Sequence, residues 1–97
     1  MPTVRAAVNP SEELAFSEFK TELYQSQMTE LENAMDVWVG MNDESGYAKG
    51  QIAALRSQIN LVRAAIGFWR GEASFWRQEI NENKLAVKEG NKLASTA

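Results

Sequence analysis

Polar and apolar positions along this chain fall into two long helical runs separated by one short break. In the first run Leu14, Tyr24, Met28, Leu31, Met35 and Trp38 recur at helical spacing, and Phe16, Phe19 and Leu23 widen the apolar face. No Gly or Pro interrupts residues 11–39. That pattern predicts a helix over residues 10–39. Its start carries a recognisable signature: Asn9 as N-cap, Pro10 at the first helical position, and Glu12 placed to close a capping box. Residues 1–9 have no periodic apolar face and read as an extended arm. The run ends at "VGMNDESG", where Trp38, Gly40 and Asn42 form the expected turn over residues 40–43. Gly40 is suited to the left-handed closing position, and Asn42, Asp43 or Ser45 to capping the next helix. A break this short favours an antiparallel hairpin.

The second run is longer and keeps a seven-residue beat. With position a at Ile52, the a and d sites read Ile52, Leu55, Ile59, Val62, Ile66, Trp69, Ala73, Trp76, Ile80, Asn83 and Val87. Only Asn83 is polar, so the pattern predicts a helix over residues 44–89 with a coiled-coil seam. Position e is basic in five successive heptads, at Arg56, Arg63, Arg70, Arg77 and Lys84. Position c is apolar in three, at Leu61, Phe68 and Phe75. The repeated Phe-Trp-Arg of "FWRGEASFWR" is this heptad printed twice. After Gly90 the pattern is lost, leaving residues 90–97 as a tail. The fold expected is all-α and single-domain: a helical hairpin with a long heptad-patterned second helix, assembled as an oligomeric coiled coil or bundle.

Length sharpens the expectation of assembly. At 1.5 Å per residue the first helix is about 43 Å long and the second about 69 Å. Folded back from the turn, the first helix should cover the second only to around residue 73. Phe75, Trp76, Ile80 and Val87 are then expected to project beyond it. An uncovered stretch so rich in aromatics marks an interaction surface. The interface predicted for self-association or a larger partner comprises Leu61, Val62, Ile66, Phe68, Trp69, Phe75, Trp76, Ile80 and Val87. In a parallel homomer, Glu72 would meet Arg77 and Glu79 would meet Lys84, whereas Arg63 and Arg70 are free to serve the acidic first helix, and Arg56 completes the charge-pairing row.

Charge changes the picture in one respect. The 97 residues carry a net charge of −3, but residues 1–45 hold nine acids against two bases, and residues 46–97 hold eight bases against four acids. An acidic helix beside a basic one suits a hairpin. The Arg ladder also raises a nucleic-acid hypothesis, since five bases spaced about 10.5 Å apart along one edge can track phosphates. Overall acidity and the position of the ladder beside the seam favour protein over nucleic acid. The chain has no His and no Cys. The usual general base, the thiol nucleophile and the commonest metal ligands are therefore missing, so no catalytic, cofactor or metal residues are expected and no small-molecule substrate is implied. The start of the sequence lacks the apolar core of a secretory signal, and no uncharged apolar stretch is long enough for a membrane span.

Two resemblances appear at the middle of the chain. The segment from Phe16 to Leu61 resembles small helical proteins of the head and tail gene modules of tailed bacteriophages. The shared features are an acidic first helix ending in Trp38, a short turn, and the pattern Gly50, Ile52, Ala54, Leu55, Arg56. The resemblance implies a virion-structural or assembly role, in the virion or the cytoplasm of an infected bacterial host, with no catalytic residues. The other is Trp38-Val39-Gly40 between two helices, which resembles the WXG100 family of small secreted hairpins. That family's C-terminal Tyr-x-x-x-Asp/Glu export motif is missing here.

Overall fold

A computed structural model describes the backbone of residues 8–96 and the side chains of residues 8–84. It contains two helices, α1 over Pro10–Gly40 and α2 over Gly46–Thr96, folded into an antiparallel hairpin. The expected extended arm lies largely outside the described residues, as do residues 1–7 as a whole.

Local chemistry sets the ends. Asn9 sits in extended conformation, and its Oδ1 accepts a hydrogen bond from the Ser11 amide at 3.0 Å. Pro10 occupies the first helical position, where its missing N–H costs nothing. Glu12 and Glu13 add negative charge to the positive end of the helix dipole. Glu12 itself stays exposed. Among the described residues no bond from it to Asn9 completes a capping box. Replacing Asn9 by Ala is expected to lower the unfolding free energy by about 1 kcal/mol, read from the thermal midpoint of the helical circular-dichroism signal.

The turn differs from the expectation in one detail. Gly40 finishes α1 with ordinary helical geometry, and Asn42 takes the left-handed conformation at φ 52°. Asn is the residue that tolerates this region best after Gly, because its short amide hydrogen-bonds locally. The Met41 and Asn42 amides close the end of α1 by donating to the Val37 and Val39 carbonyls, each at 3.2 Å. Ser45 caps α2: its Oγ accepts from the Ala48 amide at 3.1 Å, and its own amide donates to Asp43 Oδ1 at 2.8 Å. Trp38 and Tyr47 pack edge to face across the turn, with ring centroids 5.7 Å apart.

α2 also runs further than its pattern predicts, through Gly90 to Thr96. A glycine inside a helix costs about 1 kcal/mol, but no proline follows it and Lys, Leu and Ala propagate helix well. The molecule is therefore long and thin, with principal extents of 78 × 29 × 13 Å.

Packing between the helices follows the seam. Ile59, Ile66 and Ala73 of α2 are buried, and Ile52, Leu55, Val62, Trp69, Trp76 and Ile80 are half-buried. On α1 the most enclosed residue is Ser17, 1% exposed. Phe16 touches Trp69 and Glu18 reaches Arg77, so Ser17 sits level with Ala73, and two small side chains let the backbones draw close there. The cover extends beyond residue 73. Val8 and Glu13 lie beside Phe75, Trp76 and Glu79, so Trp76 and Ile80 do not project as expected. The reason is register: α1 reaches back to Pro10 while α2 begins only at Gly46. Phe75 stays half exposed, and the side chain of Val87 is outside the described residues.

Candidate interaction surfaces

Two helices side by side make one layer, and a single layer has two faces. Here they differ in chemistry. Along one face the Arg row of α2 borders the acids of α1. One groove is lined by Glu18, Glu22, Arg70 and Arg77, and another by Glu32, Asp36, Arg56 and Arg63. Arg77 Nη2 and Glu18 Oε2 form an ion pair at 3.4 Å, with both side chains about half exposed. Pairs in this setting contribute little energy, so their role is to fix which helix edge meets which. Lys84 is exposed and lies past the start of α1.

The opposite face is apolar. Phe16 packs edge to face on Trp69 at 5.4 Å, and Trp69 on Phe68 at 5.0 Å. Phe75 and Trp76 repeat the second contact one heptad on, at 4.9 Å. In each pair the Trp turns inward and the Phe stays out: Phe68 is 59% exposed and Phe75 50%. Leu61, on the same row, is 72% exposed and borders a shallow groove with Gln27, Glu30 and Val62. On α1, Phe16, Phe19 and Leu23 stand three and four residues apart, hence on one helix face, and all are exposed. Lys20 extends its ammonium over the Phe16 ring, 5.4 Å from the centroid. Aromatic and aliphatic side chains exposed in one contiguous stretch mark contact surface.

The predicted interface therefore divides. Val62, Ile66, Trp69, Trp76 and Ile80 turn towards α1 of the same chain, and Leu61, Phe68 and Phe75 face outward. The charge set divides as well. Arg77 meets Glu18 rather than waiting for Glu72 of another copy, while Glu72 and Glu79 are half-buried on the apolar side near Phe75. The spacing reads Phe16, Phe19 and Leu23 as widening the apolar face of α1, yet all three stay exposed. The clue to the contrary is Ser17, whose small size marks the line of closest approach and turns its neighbours outward.

Among the described residues no three acidic side chains converge to hold a metal ion. No helix there is long and apolar enough to cross a membrane. No family model, no curated protein and no solved structure matches the chain.

Proposed function

We propose that this chain is a non-enzymatic structural or assembly protein that self-associates, a small virion or morphogenesis component of a tailed bacteriophage. The observation that carries the reading is the one-layer hairpin with Leu61, Phe68 and Phe75 facing outward along one helix. A domain normally closes its core with a second layer, and the described residues form only one. The phage assignment draws on the likeness of residues 16–61 to head and tail module proteins. Light scattering with mass analysis tests the assembly role: a fixed oligomer is expected, and a monomer at every concentration contradicts it. Recovery of the chain at constant copy number in purified particles tests the phage role, and its absence from them overturns that role.

A second reading has a specific observation behind it. Trp38, Val39 and Gly40 close α1 at the hairpin turn, where a WXG100-like secreted hairpin carries its motif. Appearance of the chain in the culture medium of its host, dependent on Trp38, would favour that reading over a particle component. A nucleic-acid role for the Arg row has less behind it, because Arg56, Arg63, Arg70 and Arg77 border acids of the same chain. Salt-sensitive DNA or RNA binding that Arg63→Glu and Arg70→Glu abolish would reverse that judgement.

A further inference from the structure

The back of α2, turned away from α1, carries no charge over a long stretch. Around that side the heptad rows follow the order g, c, f, b, e. From Ala53 to Gln78 the three central rows hold only small, apolar and uncharged polar residues. Row c is the exposed ridge of Leu61, Phe68 and Phe75. Beside it rows f and b are low, with Ala64 and Gly71 in one and Gly67 and Ser74 in the other. All the charges of this stretch lie on the two rims, as Arg at e and as Glu72 at g, and Glu79 continues the g rim just beyond it.

We propose that two copies of the chain pair in parallel through this back face of α2. The pairing rests on the self-associating reading above and names its surface. The occupant follows from the order of the rows. In a parallel two-fold pair, row c of one copy lies opposite row b of the other, row f meets row f, and rim e meets rim g. Phe68 and Phe75 then pack over Gly67 and Ser74 of the second copy, with Ala64 and Gly71 at the axis. The rim Arg70 of one copy faces Glu72 of the other, which is charge-complementary, while Arg77 keeps its ion pair with Glu18 of its own chain. An antiparallel pair sets ridge against ridge, Arg against Arg and Glu against Glu. The glycines agree with a close partner. A Cβ added at Gly67 or Gly71 meets nothing within 4 Å, so the hairpin itself does not require glycine at either position. Each weakens the helix interior that it occupies.

The natural chain has no cysteine, so single cysteines report cleanly. Ser57 and Gln78 are both exposed on row f, about 31 Å apart along the helix. Full-length Ser57→Cys and Gln78→Cys, each oxidised at a concentration where light scattering shows the oligomer, are both expected to form disulfide-linked dimers. An oligomer in which neither links uses another face and overturns the proposal. One in which only one links is not an in-register parallel pair and overturns it equally. A chain that is monomeric throughout overturns both this pairing and the self-associating reading. As an independent check, Gly67→Ala combined with Gly71→Ala should keep helix content and raise the dimer dissociation constant at least tenfold. Unchanged or tighter association contradicts the close approach.

Discussion

Replacing Phe68 and Phe75 together by glutamate is expected to dissociate the proposed oligomer and to leave the hairpin folded. Both rings are half or more exposed in the single chain, so removing them opens no cavity between α1 and α2. Trp69 and Trp76 remain half-buried against α1 and keep the intrachain packing. Aromatic residues at the centre of an interface each contribute about 2 kcal/mol or more to association. Two such losses, with two carboxylates now set against Gly67 and Ser74 of the second copy, raise the dissociation constant by about a thousandfold. Light scattering across a concentration series reads the effect, and circular dichroism verifies the fold. A double variant with the mass of the natural chain refutes the outward ridge as the contact.

Ile66→Ala acts on the other side of the same helix, with the opposite outcome. Ile66 is 8% exposed and belongs to the short buried line that also holds Ile59 and Ala73. Truncating a buried isoleucine costs about 2–4 kcal/mol, the lost transfer energy plus the cavity left behind. Stabilities of about 5–15 kcal/mol are usual for whole domains, and a one-layer hairpin belongs at the low end. The variant is therefore expected to lose much of its folded population near body temperature. The effect is best measured in the Phe68→Glu/Phe75→Glu background, where association no longer adds to stability. A thermal midpoint that does not move there means that Ile66 faces the partner and not α1.

The hairpin was legible in the sequence because its signals are local. Pro10 after Asn9, the uninterrupted apolar spacing to Trp38, and Ser45 before the second run mark the helix ends through chemistry of neighbouring residues. The shared side of the helices was harder to read. A heptad seam does not say whether its partner is another copy or the chain's own first helix, since both present apolar side chains of similar size. The structure places α1 there, with Val8, just ahead of the helix, beside Trp76. Register caused the discrepancy in coverage, because the predicted turn at 40–43 placed the start of α2 too early and the overlap too short. Phe16 and Phe19 depart from the pattern for a related reason. Their hydrophobicity suggests burial, whereas the small Ser17 between them occupies the contact line. The side assigned to the Arg row stayed open in the sequence, and Arg77 to Glu18 resolves it.

α1 folds back over the seam of its own α2 and leaves the far face of α2 uncovered among the described residues. Spin labels at Gln27 and Gln58, which border one groove across the two helices, test it directly. Labelled chain diluted into an excess of unlabelled chain reports only distances within one molecule. A distance of about 20 Å or less is expected, set by two neighbouring helices and the label arms. A separation near 46 Å, the span of 31 residues in one continuous helix, would mean that α1 opens away and that the seam is filled by another copy.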